Sequence, residues 1–453
     1  MGTLDTSIVN ISFPKLAKVF ETELSVVIWV TVAYLLVGTG LMLILGRIGD
    51  VFGRKKVYIL GFVLFTIGLI LCSLSQSILQ LILSRIIQGV GAAVIVALSS
   101  AIVTAAFPDQ ERGKALGILG SVISAGILIG PVLGGFLLDI LDWRSIFYTR
   151  VPVGIIGLVI AWILLKEQKA SDISLKFDLW GAATLFGSLS FLLLFFNLGV
   201  RLGFVTPPVL ILAGSAVILL VLFIAQERRT EQPLVDLNLF RNHLFAGGNI
   251  SLGIMTLTVS ALILLMPFYL IDGIGYSALE TGLFLAAASV ITLVIAPLSG
   301  WLSDKVGSRL LCTVGMTLIC LSLFLFSGLS NESSSASILL SLVVFGIGTG
   351  VFTSPNSSSI MGAVPNDRLG TASALMYTIR QIGMSTGIAV AGAIFTSRQF
   401  FHAAQLTHDN LDPLMLHKLS LVGGYQDTLL MAAIVCSIGI FTSLTRGRKQ
   451  PNY

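Results

Sequence analysis

The chain has 453 residues, with 27 Lys and Arg against 22 Asp and Glu for a net charge of +5, yet only 11% of its residues are charged and 55% are hydrophobic. A soluble domain carries about 25% charged residues, so this composition excludes a protein with an ordinary water-facing surface. The positive balance does not point to nucleic acid, because the basic residues sit in short segments between apolar runs, where orientation in a bilayer accounts for them.

Only a helix or a closed barrel satisfies its own backbone in hydrocarbon, and a helix needs about 20 mostly apolar residues to cross. The first candidate runs from Met1 to Phe13, ahead of Pro14 and Lys15. At 1.5 Å per residue it spans about 20 Å, short of the roughly 30 Å core, and a start upstream of Met1 is the expected reason. This helix carries Asp5 and Asn10 in "LDTSIVNISFP". An acid inside a membrane helix is costly and by default faces a cavity where it acts, so Asp5 is a candidate proton carrier; the alternative is an acid at the membrane edge.

The second helix is expected over 24–45, with Trp29 and Tyr34 as candidate cavity residues, although both types also form interfacial belts. An inner loop, "GRIGDVFGRKK" (46–56), follows. Its glycines, Gly46 and Gly53, let helix ends approach, and Asp50 can take a hydrogen bond from a helix N-terminus or from Arg54. Such a pair can latch the inner face shut; a basic loop set only by topology is the alternative. Ser75-Gln76-Ser77 ends the third helix, and the fourth runs from about 78 to 106. Its "LSRIIQGVGAA" holds Arg85, the one charge between 57 and 108. A buried arginine keeps its charge and needs a partner, and Asp5 or backbone carbonyls are the candidates. Gln88, about one turn on, shares its face.

The fifth helix, within 115–138, reads "GILGSVISAGILIGPVLGGFL". Gly126, Gly130 and Gly134, with Gly135 beside them, make a smooth face that admits a neighbouring backbone, and Pro131 bends the helix. A short sixth run covers 151–165, and a further pair covers 179–200 and 202–226. The ninth helix, 244–271, offers Asn249, Met266, Phe268 and Tyr269 toward a cavity, and the twelfth, 333–366, offers Asn356. After the tenth (281–303), "GWLSDKVGSR" (300–309) repeats the Gly-x-x-x-Asp-x-x-Gly spacing, with Asp304 and Arg309 as second latch candidates. Arg380 and Gln381 lie within 369–397, the thirteenth run, and 428–445 completes the set.

Fourteen helices with both termini cytoplasmic leave only Lys15, Lys18, Arg144, Arg150, Arg201, Arg398 and Lys418 in outer segments, while Arg47, Arg54, Lys55, Lys56, Arg112, Lys114 and most other basic residues fall inside. That asymmetry is the positive-inside pattern. The doubled inner loop implies two related six-helix halves joined by an extra pair. The fold class is therefore all-α and polytopic: 1–166 an N-terminal bundle, 167–243 two linking helices with flanking loops, 244–453 a C-terminal bundle with a short basic tail.

Catalytic or metal chemistry finds no constellation in the sequence. Cys72, Cys312, Cys320 and Cys436 all lie in apolar stretches and read as packing. His402, His408 and His417 fall in one expected loop, His243 stands alone, and no metal-ligand spacing results. "GMSTG" (383–387) fits a hydrolase nucleophile motif but sits in an apolar helix rather than a strand–turn–helix. No phosphate-binding Gly-x4-Gly-Lys-Ser/Thr loop occurs, so ATP is not expected as the energy source. No cofactor and no metal are expected.

Taken together, "LDTSIVN", "GRIGDVFGRKK", "RIIQGVGAA" (85–93), "GILIGPVLGG" (126–135), "DWRSIFYTRVPVG" (142–154) and "RQIG" (380–383) resemble the fourteen-helix drug:proton antiporter group of the major facilitator superfamily along essentially the whole chain. The resemblance implies two bundles rocking about a central cavity in the cell membrane, a monomer, and export of amphipathic or cationic compounds driven by inward proton flow. It also implies coupling roles for Asp5 and Arg85 and an inner latch at Asp50 and Arg54. Arg150 departs from the group, where asparagine is usual. An exporter of one endogenous metabolite, lipid or peptide would carry the same motifs; a membrane enzyme or receptor would need a catalytic constellation or a soluble domain.

Overall fold

The computed structural model describes residues 2–106, 122, 126, 129–165, 178–230, 237–364, 369–406 and 412–444. Among them every regular element is helical. In chain order these are α1 (Gly2–Asn10), α2 (Phe13–Val19), α3 (Leu24–Val27), α4 (Trp29–Phe52), α5 (Arg54–Leu74) and α6 (Ile78–Ala106). Then come α7 (Ile129–Ile140), α8 (Ser145–Tyr148), α9 (Val151–Leu164), α10 (Leu179–Leu202) and α11 (Pro207–Glu227). The rest are α12 (His243–Phe268), continued by a wider π turn at Tyr269–Ile274, α13 (Ala278–Val306), α14 (Ser308–Ser327), α15 (Ser335–Met361), α16 (Leu369–Leu406) and α17 (Pro413–Leu444). Among the described residues, ten helical stretches are long and apolar enough to cross a membrane. Their outward faces are apolar, as at Ile211 and Val217 of α11 and Trp162 and Ile163 of α9, which suits hydrocarbon as the solvent.

Cα packing divides the chain into two units, Met1–Phe195 with Pro207–Leu234, and Phe196–Thr206 with Val235–Tyr453. In the first, α5 and α6 touch through glycines: a methyl group on Gly91 would lie 2.3 Å from the Phe65 backbone nitrogen. In the second, α14 and α15 meet the same way, with a methyl on Gly315 falling 2.6 Å from the Phe352 nitrogen. The α4–α5 junction is the single residue Gly53, φ +98°, and the α13–α14 junction is Gly307, φ +86°. Both sit where a Cβ is disfavoured. The repeated sequence motif thus forms a repeated backbone corner.

Most buried hydroxyls cap their own helices, as Ser84 Oγ does to the Gln80 carbonyl at 2.8 Å and Thr258 Oγ1 to Ile254 at 2.9 Å. This leaves few polar groups needing distant partners. In the first unit, Asp178 accepts from the Gly181 amide at 2.7 Å and the Thr230 hydroxyl at 3.0 Å, tying the start of α10 to the end of α11.

Several boundaries differ from expectation. The turn at Ser75-Gln76-Ser77 falls between α5 and α6 as expected. The 46–56 loop does not form: α4 runs through Gly46 and Asp50 to Phe52, and only Gly53 breaks the helix. Nothing ahead of Gly53 stops a helix, and polarity alone does not. His402 and His417 are likewise not in a shared loop but on α16 and α17; His408 lies outside the described residues. The last turns of α16 make polar contacts with the middle of α17. Arg398 Nε donates to Asp427 Oδ2 at 2.6 Å, and His402 Nε2 lies 2.7 Å from the same oxygen. The four cysteines are buried free thiols.

Candidate functional site

Around Asp5 the first unit buries a charged cluster, and it starts from a very short helix. α1 has nine residues and gives way at Ile11–Ser12 to α2, which has a proline in its first turn. What seats α1 is the glycine face of α7. A methyl on Gly130 would fall 1.9 Å from Ser7 Oγ, and one on Gly134 would fall 2.9 Å from a carbon of Ile8. Ser7 also donates to the Gly126 carbonyl at 3.5 Å. Gly130, Pro131, Gly134 and Gly135 are all buried. Asn10, near the end of α1, accepts from Thr31 of α4 at 3.2 Å.

So placed, Asp5 is sealed from solvent at 0% exposure, as are Arg85 and Gln88, with Arg150 at 7%. Arg85 Nη1 donates to Asp5 Oδ2, and Arg150 Nη1 donates to Asp5 Oδ1. Gln88 Nε2 adds a bond to Oδ1 at 2.8 Å. Gln88 accepts in turn from Arg85 Nη1 at 2.7 Å and from the Cys72 thiol at 3.6 Å. Arg85 Nε donates to the Val30 carbonyl at 2.9 Å, and its guanidinium carbon lies 4.1 Å from the centre of the Tyr34 ring. Arg150 Nε donates to the Ile146 carbonyl at 2.6 Å. One carboxylate therefore ties together α1, α4, α5, α6 and the start of α9.

Such a cluster can switch. A buried ion pair loses several kcal/mol, about 3–5, when one partner is removed, because the other charge is left uncompensated. Protonating Asp5 would remove the anion from two guanidinium groups at once, which would link proton binding to helix packing through this carboxyl. Arg85 with Asp5 was readable from the sequence as a pair; Arg150 was not. It is the residue before α9, where hydropathy sees a loop, and the one signal was an arginine at a place where asparagine is usual.

The remaining candidates are placed as follows. Arg54 opens α5 and Arg309 is exposed near the start of α14, while the side chains of Asp50 and Asp304 lie outside the described ones. Trp29 is half-buried at the start of α4. In the second unit, Tyr269 stacks on Tyr425 at 4.4 Å and donates to the Ser330 carbonyl at 2.8 Å. Met266 Sδ accepts from the Tyr425 hydroxyl at 3.5 Å, and Phe268 packs near Phe395. Asn249 and Asn356 are buried, and each has amide atoms with no hydrogen-bond partner among the described residues. Gln381 is buried and Arg380 half-buried on α16. These residues do not form one cluster of the Asp5 kind.

A family model described as Major Facilitator Superfamily matches residues 1–388. The chain is 36% identical over 449 residues to the riboflavin transporter RibZ of Clostridioides difficile (strain 630), covering 99% of this chain and 95% of that one. It is 32% identical over 395 residues to the multidrug resistance protein Stp of Mycobacterium tuberculosis (strain CDC 1551 / Oshkosh), covering 87% and 73%. Among solved structures, a bacterial homologue of the human lysosomal transporter Spinster superposes with a TM-score of 0.71 at 15% identity, covering 100% of this chain and 96% of that one, which is a likeness of fold.

Proposed function

The chain belongs to the major facilitator superfamily and is a multi-pass membrane transporter, and we propose that it couples proton movement to the export of small amphipathic compounds by alternating access. The observation that carries this reading is the sealed Asp5 carboxyl held by Arg85, Arg150 and Gln88. Asp5 loads and releases the proton, Arg85 and Gln88 hold the carboxylate between loadings, and the exchange of these bonds moves α1 against α6 and α9. The Gly53 and Gly307 corners, with the Asp50 and Arg54 pair, serve the inner latch. The protein works as a monomer in the cell membrane with both termini inside.

A cationic cargo would bind elsewhere than Asp5, whose carboxylate is already engaged by two guanidinium groups. Similarity to a protein named a riboflavin transporter favours a second reading, a carrier for one specific metabolite, while the similarity to Stp favours a broad drug range.

The test is transport by purified protein in proteoliposomes under an imposed pH gradient. An efflux panel of drugs and metabolites should contain compounds that accumulate against their gradient only while the pH gradient lasts, with accumulation abolished by a protonophore. Accumulation that survives the protonophore and follows a sodium gradient instead would sink proton coupling.

A further inference from the structure

The Asp5 cluster is not electrically balanced. Two guanidinium groups face one carboxylate, and Arg85, Arg150 and Asp5 are all at least nine-tenths buried. Among the described residues its charge sum is +1. The other groups in contact are neutral: Gln88, the Cys72 thiol, the Val30 and Ile146 carbonyls, and the rings of Tyr34 and Phe147. They spread the positive charge without cancelling it. A buried charge without a counter-charge is costly enough that proteins rarely keep one.

Hydrogen bonding shows the same imbalance. A guanidinium carries five N–H donors in a fixed fork. The outer nitrogen Nη2 of Arg85 and that of Arg150 are both buried, and neither has an acceptor among the described residues. Arg150 also stands immediately before α9, at the end where a helix's own dipole disfavours a cation. Helix stability therefore does not explain its position. The contrast lies in the second unit, where Arg398 is matched by Asp427 at 2.6 Å and stays partly exposed.

We propose that a small monovalent anion of chloride size binds beside Arg85 and Arg150 and completes the cluster, taking hydrogen bonds from their Nη2 groups. Bound there, the anion brings the charge sum to zero while Asp5 is ionised. It also leaves the two arginines with a counter-charge when Asp5 is protonated. The site is a resident counter-ion site within the first unit, so it stands or falls independently of the proton-coupling reading. A cargo's carboxylate is the other source of the same chemistry, and the experiment separates the two.

Purified full-length protein is melted in detergent at constant ionic strength in sodium chloride, sodium bromide, sodium gluconate and sodium benzoate. Wild type should melt at a higher temperature in chloride and bromide than in gluconate, saturably, because a ligand of the folded state stabilises it by mass action. Arg150→Asn brings the cluster sum to zero without an anion and should lose the chloride effect. Arg150→Lys keeps the charge and should retain it. Labelled chloride should bind wild type at one ion per chain and be displaced by bromide. Equal melting in chloride and gluconate, with no chloride bound, would overturn the proposal. So would a chloride effect that persists undiminished in Arg150→Asn. Stabilisation by benzoate but not by chloride or bromide would overturn the small-ion assignment in favour of a carboxylate from cargo. Should Arg150→Asn not fold, wild type, Arg150→Lys and the chloride-binding stoichiometry still decide.

Discussion

Asp5→Asn should lower the melting temperature more than Arg85→Gln or Arg150→Asn, and adding Arg150→Asn to Asp5→Asn should recover part of the loss. The order follows from the charge sums. The native cluster stands at +1. Removing the carboxylate charge raises it to +2, removing either arginine lowers it to zero, and the double variant returns it to +1. Leaving buried charges uncompensated costs about 3–5 kcal/mol, whereas removing one of the two arginines still leaves the carboxylate a buried counter-charge and should cost less. Asparagine keeps an oxygen for one arginine, so hydrogen bonding alone predicts a small loss for Asp5→Asn and additive losses in the double variant. Because these side chains touch, a double-mutant cycle should return a coupling of roughly 0.5–3 kcal/mol. Melting each purified variant in one detergent and in sodium gluconate, with no chloride present to add to these sums, reads the order directly. Additive losses would show that the cluster is held by shape rather than charge.

The second large effect is steric and sits in the glycine seams. Gly91→Val should abolish the native α5–α6 contact, since even its first carbon would meet the Phe65 nitrogen at 2.3 Å and the Gly61 carbonyl oxygen at 2.7 Å. These are backbone atoms and cannot rotate away. Gly315→Val should do the same between α14 and α15, where the Phe352 nitrogen and the Gly348 carbonyl oxygen lie at 2.6 and 2.9 Å. Overpacking a tight core typically costs about 1–3 kcal/mol and occasionally more, and a backbone clash belongs at the upper end. Gly214→Ala on α11, with nothing within 4 Å, is the control and should be neutral or slightly stabilising. Yield of monodisperse protein and its melting temperature are the readouts. Helices that tolerate Gly91→Val would mean that α5 and α6 do not pack this closely.

The same contrast between charge and packing explains what was legible in the sequence. Apolar runs broken by Ser75-Gln76-Ser77 marked the end of α5 and the span of α6, because a membrane helix advertises its length through hydropathy alone, while the charged first turn of α5 from Arg54 fell outside its apolar run. Asp5 and Arg85 were legible because a charge inside an apolar run has so few possible partners. The inner motif, by contrast, reads as a loop through its polarity. The backbone responds to φ instead, and continues as helix until Gly53 and Gly307 turn it. The overrun of α16 and the early start of α17 were hidden for a related reason. Arg398 and His402 in the overrun of α16 are held by Asp427 of α17, a contact between helices that no hydropathy window registers.

Arg150 shows the limit most clearly. In sequence it is one more basic residue of an outer segment, and positive-inside counting treats it as a charge to be tallied. Its value lies in the direction its side chain takes from the residue ahead of α9, back toward α1, where it doubles the positive charge on Asp5. Tyr269 is the converse. An aromatic in an apolar run invites a cavity role, yet it is occupied by stacking on Tyr425 and a bond to Ser330. Three-dimensional partners decide both cases.

The most direct test of the central claim compares wild type with Asp5→Asn in proteoliposomes, alongside Asp5→Asn/Arg150→Asn, whose cluster has the native charge sum. Exchange of labelled for unlabelled substrate without a pH gradient and substrate-dependent proton movement are measured on the same vesicles. If Asp5 carries the coupling proton, exchange persists in the variants, while proton movement and gradient-driven accumulation are lost. Gradient-driven accumulation in Asp5→Asn at the wild-type level, with proton movement intact, would contradict the assignment.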